Sequence, residues 1–79
     1  MMDIYNEVIN LIAQVLEVSS AQLSEDTAIG DIPTWDSLRQ LMIVSTIEEN
    51  FSIQFEPEVI MDMEDISDIV AAVEERIQS

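Results

Sequence analysis

The sequence contains no cysteine, no histidine and no lysine, and each absence removes a class of chemistry. Without cysteine there is no disulfide staple, and no redox compartment can be inferred. Without cysteine and histidine there is no Ser–His or Cys–His nucleophile pair and no zinc site of the usual ligands. Without lysine there is no Schiff base and no lysine to activate a serine. Glycine occurs once and proline twice, which argues for helices over turn-rich β structure. No run approaches the roughly 18 apolar residues of a membrane span. The first residues lack a basic stretch leading into an apolar one. A soluble cytoplasmic protein without a membrane span is expected.

What is abundant is negative charge. Seventeen carboxylates face two arginines, for a formal charge of −15 on 79 residues. Nucleic acid and anionic lipid would be repelled, whereas proteins with basic patches would be steered in, less so as salt rises. Apolar residues make up 48% of the chain and recur with helical period, so one folded domain over residues 1–79 is expected rather than disorder.

In chain order, Ile4, Val8, Leu11, Ile12 and Val15 form one stripe of a helix over residues 3–17, with Asp3 as its N-cap. Residues 18–36 lose the period and are rich in turn formers, with room for one helical turn at 20–23. A loop of this length inside a small domain is uncommon and usually functional. Val18, Leu23, Ile29 and Ile32 are its expected anchors in the core. Pro33 disfavours helical angles at Ile32, so the next helix starts beyond it, over about Ser37–Asn50 with Asp36 as N-cap. Ile43, Ile47 and Phe51 are its core row. Leu38, Leu41 and Met42 are a second row, expected to form an exposed patch beside Ser37, the alternative being that they pack under the loop. Residues 51–56 alternate like a strand but have no strand to pair with, so they are expected to be an extended connection. Pro57 opens a short helix to about Met61 or Asp62. Asp65 caps a last one over 66–77, with Ile66, Ile69, Val70, Val73 and Ile77 as its buried stripe. The expected fold is all-α: a small four-helix bundle of three longer helices and one short one, with a long loop between helices 1 and 2.

Little of this can catalyse. Glu48–Glu49, Glu64–Asp65 and Glu74–Glu75 read as solvated faces, since so many acids make neighbours by chance. The residues before Gly30 lack the alternating acids of a calcium loop, and no metal site is expected. Ser37 remains. It follows a long loop, has Asp36 before it and a broad apolar helix face after it. A helix N-terminus tolerates a phosphodiester well, because free N–H groups and the helix dipole point toward it.

Asp36-Ser37-Leu38, opening a helix that ends Glu48-Glu49-Asn50-Phe51, resembles the acyl carrier protein family. That family is marked by Asp-Ser-Leu at the start of its second helix, and the resemblance extends over the order of helices, the length and the acidity. It implies that Ser37 receives 4′-phosphopantetheine from coenzyme A by the action of a separate phosphopantetheinyl transferase. Acyl groups then ride as thioesters on the thiol of that arm, which a chain without cysteine must borrow. The resemblance further implies that Asp36 helps the transferase engage, that Leu38, Leu41 and Met42 meet partner enzymes, and that Ile43, Ile47, Phe51 and Ile66 line the interior. Glu48 and Glu49 keep the acidic end of the docking helix, facing basic patches on acyl-loading and acyl-using enzymes.

Two features depart from the family. Thr34 stands where glycine is usual, with Trp35 between it and Asp36, and Arg39, Gln40 and Met42 occupy ground that is acidic in the general fatty-acid carrier. Both suggest a discrete monomeric carrier of a specialised lipid, polyketide or surface-polysaccharide pathway, not an enzyme. An aminoacyl or peptidyl carrier and an unmodified acidic interaction module are the alternatives. Trp35 is expected either to sense the arm by its fluorescence or to plug the loop onto the core.

Overall fold

The computed structural model describes residues 3–78. These form helices α1 (Ile4–Leu16), α2 (Ser37–Phe51), α3 (Pro57–Met61) and α4 (Ile66–Gln78), with a single 3₁₀ turn at Ser20–Gln22 in the first loop. Each boundary has a local cause. Asp3 caps α1 by accepting the Asn6 amide at 3.2 Å. Glu17 ends that helix in the left-handed conformation, φ 59°, and turns its amide back to the Ala13 and Gln14 carbonyls. Ser52, at φ 55°, ends α2 in the same way. Pro57 occupies the first turn of α3, where its missing N–H is not needed. Asp65 caps α4 by accepting the Asp68 amide at 2.9 Å.

Helix α1 packs against both α2 and α4. Val8, Ile12 and Leu16 of α1 meet Ile43 and Ile47 of α2 and Ile66, Ile69 and Val73 of α4 in one closed core. Because α1 serves two neighbours, its buried face is broader than the expected stripe. Ile9, Ala13 and Leu16 join it, while Ile4, Leu11 and Val15 are only half-buried at its edge. Ile77, expected in the α4 stripe, stands exposed in the last turn, past the final core residue Val73. Residues 53–56 form neither helix nor strand, and Phe55 is buried there.

The long loop is held by Leu23 in the core, by Val18 and Ile32 at its margin, and by main-chain bonds. Ile29 is not a side-chain anchor: its side chain is exposed, and its amide instead donates to the Glu64 carbonyl at 3.1 Å. The Ile66 and Ser67 amides reciprocate to the carbonyls of Thr27 and Glu25, both at 3.0 Å. The backbone thus supplies the anchorage expected from an isoleucine. Gly30 adopts φ 93°, a conformation that disfavours any other residue, and its amide donates to the Trp35 carbonyl.

Candidate functional site at the α2 N-terminus

The corner at residues 34–39 is built from five side chains with distinct tasks. Asp36, in extended conformation, receives the Arg39 amide on Oδ1 at 2.9 Å, so α2 begins at Ser37. Ser37 is exposed in the first turn, which contains no acidic residue. Trp35 turns inward and is 2% exposed. Its indole Nε1–H donates to Gln40 Oε1 at 2.8 Å inside the protein. Thr34 Oγ1 donates to the Leu16 carbonyl at 2.8 Å. Arg39 donates to the Val15 carbonyl and to Glu17 Oε2, the latter at 3.2 Å.

The second apolar row of α2 is on the surface. Leu38 is 66% exposed, Leu41 59% and Met42 45%, continuous in sequence with Ser37. The alternative of packing under the loop is not what occurs. On α3, Met61 and Val59 are exposed too. Ile43, Ile47 and Ile66 lie in the core as expected, whereas Phe51 is half-buried at its edge.

Three placements differ from the expected docking surface. Gln40 is not part of it but is buried, the polar member of a row with Ile43, Val44 and Ile47. Arg39 is bound to the end of α1 rather than presented freely. Glu48 is half-buried, and its Oε2 accepts the Phe55 amide at 2.8 Å, so it fixes the turn after α2. Glu49 is exposed, as expected. Trp35 occupies the core, the second of its two expected placements. The anchoring tasks of Thr34, Gln40 and Glu48 escaped sequence reasoning. One signal existed: a buried indole N–H needs an acceptor, and Gln40 lies five residues further along the chain. Among the described residues no group of three or more metal-ligand side chains converges.

A family model described as a phosphopantetheine attachment site matches residues 6–73. The chain belongs to the phosphopantetheine attachment family. Its members bear that group covalently, and the chain is accordingly a carrier domain and not a catalyst. No curated protein matches the sequence. Among solved structures, the solution NMR structure of the holo acyl carrier protein from Geobacter metallireducens is similar in fold, with a TM-score of 0.87. The two share 22% identity over 98% of this chain and 88% of that one. The expected four-helix carrier fold is the one found.

The α2 corner fits the family's group. A phosphodiester there meets first-turn amides and the positive end of a helix of fifteen residues. Ser37 is an exposed residue, so an arm there would extend into solvent without displacing the core. When bound, the group supplies a thiol that the sequence lacks.

Proposed function

We propose that Ser37 is the attachment residue and that the chain carries acyl groups as thioesters on 4′-phosphopantetheine for a specialised lipid, polyketide or surface-polysaccharide pathway. The observation that carries this reading is an exposed serine opening α2, followed on the same helix by the exposed Leu38, Leu41 and Met42. In the attachment step the Ser37 oxygen bonds to the phosphorus next to the pantetheine arm of coenzyme A. The bond to the adenosine bisphosphate half breaks, and that half leaves. The hydroxyl proton goes to a base on the transferase. Asp36 contributes by starting the helix at Ser37 and by placing one carboxylate where the transferase approaches. Partners are a phosphopantetheinyl transferase and acyl-handling enzymes with basic patches, steered by the −15 charge. The carrier works as a cytoplasmic monomer, and no helix among the described residues is long and apolar enough to cross a membrane.

The specialised pathway is supported by the opening of α2. Its first two turns present apolar side chains to solvent and carry no carboxylate, so a partner reads shape and apolar area there before charge. Incubation with coenzyme A and a broad-specificity transferase, followed by intact mass, tests the reading. One added phosphopantetheine that disappears with Ser37→Ala supports it, and no gain favours an unmodified interaction module. Loading of the modified protein by acyl-CoA-type donors rather than by an amino-acid-adenylating enzyme distinguishes an acyl from an aminoacyl carrier.

A further inference from the structure

The end of α1 and the corner bearing Ser37 are joined by two side chains that flank the serine. A helix leaves its last four carbonyls without partners of its own. Here the left-handed Glu17 folds the chain back so that its own amide serves Ala13 and Gln14, and the Val18 amide also reaches Ala13. Val15 and Leu16 remain, and they receive Arg39 and Thr34 respectively. Thr34 lies three residues before Ser37 and Arg39 two residues after it. The serine is therefore suspended between two points fixed on the same helix end. Position 34 has no need of glycine, since positive φ among non-glycine residues occurs only at Glu17 and Ser52 within the described chain. A hydroxyl is used there instead.

We propose that Thr34 and Arg39 are positioning residues for modification at Ser37, holding the corner in the shape that the transferase binds. The proposal rests on the reading of Ser37 as the attachment residue. A twenty-residue approach to α2 would otherwise leave that corner to be ordered at the moment of docking, an entropic penalty that preorganisation removes. Arg39 makes the claim sharp, because charge and positioning predict opposite signs for its removal. Replacing Arg39 by glutamine makes the chain more acidic, which by steering alone strengthens association with a basic transferase. Loss of positioning weakens it.

The test is steady-state kinetics of modification by a broad-specificity phosphopantetheinyl transferase, with the carrier as the varied substrate. Thr34→Val removes one hydroxyl at constant shape and charge. It is expected to raise KM about fivefold with kcat little changed, the equivalent of one lost hydrogen bond. Arg39→Gln is expected to raise KM at least as much, and Arg39→Lys to restore part of the loss. Arg76→Gln, the same charge change on α4, is expected to leave KM unchanged or lower it. In the unmodified protein, hydrogen exchange at the Trp35 and Arg39 amides is expected to quicken in Thr34→Val while the amides of Ile69 and Val73 are unaffected. An Arg39→Gln variant whose KM falls like that of Arg76→Gln overturns the proposal. So does a Thr34→Val protein with parental KM, whatever its exchange, and Thr34→Val alone decides if Arg39→Gln fails to fold. If the parent protein itself gains no phosphopantetheine, the reading of Ser37 falls and this proposal with it. Equal modification of parent and variants brings down this proposal alone.

Discussion

Trp35 and Gln40 are bonded to each other across the point where the loop becomes helix, indole Nε1–H to amide Oε1 at 2.8 Å, with Ser37 on the outside of the same corner. Gln40 is the one polar residue among the buried side chains of the described residues. No buried side-chain nitrogen or oxygen among the described residues lacks a partner. Breaking one half of the pair therefore creates a defect that the parent does not have.

Gln40→Leu leaves the buried indole N–H without an acceptor and is expected to destabilise the fold by about 1–3 kcal/mol. For a domain of this size each kcal/mol lowers Tm by roughly 4–8 °C. Trp35→Phe strands the glutamine amide and should be costly too. In a double-mutant cycle the pair should fall short of the sum of the single variants, measured by thermal or urea unfolding. Strict additivity would mean that the bond contributes nothing.

The burial of Trp35 also sets an expectation for its emission. An indole 2% exposed should emit at short wavelength in the native protein and shift red on unfolding. Attachment of the arm at Ser37, on the outer side of the corner, should leave the maximum nearly unchanged. A large shift on modification with the fold intact would show that the indole leaves its seat.

Leu41→Glu and Met42→Glu should separate binding from stability. Both side chains are exposed, so unfolding free energies should stay within about 0.5 kcal/mol of the parent. Loading and transfer by partner enzymes should fall severalfold, read as acyl transfer rates on otherwise identical modified protein. Unaltered rates with every partner would remove this row from the docking surface.

Glu48 and Glu49, adjacent in sequence, should answer differently to charge reversal. Glu49→Lys should slow modification more at low salt than at high salt with little change in stability, because its carboxylate is exposed. Glu48→Lys should in addition lower Tm, since it removes the acceptor of the Phe55 amide. Identical melting of the two variants would show that this bond is not formed in solution.

Ser52→Gly should raise stability by about 0.5–1 kcal/mol, relieving a side chain held at φ 55° at the end of α2. The same change at Glu17 would also delete the Arg39 ion pair and is the less clean test. A lower Tm for Ser52→Gly in a thermal melt would show that the serine side chain contributes more than the strain.

Helix positions and the exposure of Ser37 were legible in the sequence because each depends on neighbours in the chain: apolar period, an aspartate cap, a proline at a first turn. What was not legible depends on partners far along it. Ile29 looked like an anchor because it is apolar, yet the loop is anchored by amides facing residues 64–67, and amides have no sequence signature. Gln40 looked like surface because it is polar, and only the inward turn of Trp35 makes its place in the core row intelligible. Glu48 reads as one acid among many until the left-handed Ser52 brings the Phe55 amide back to it.

The main-chain ladder between residues 25–29 and 64–67 has a consequence for the newborn chain. As the chain emerges from the ribosome, residues 4–51 already contain α1, α2 and the serine, but the loop's upper half has nothing to lie against until the start of α4 is in the open. Native arrangement of the whole must therefore wait until residues 64–67 are available, as non-local pairings generally do. A stalled fragment ending before residue 64 would display Ser37 on an unfinished scaffold.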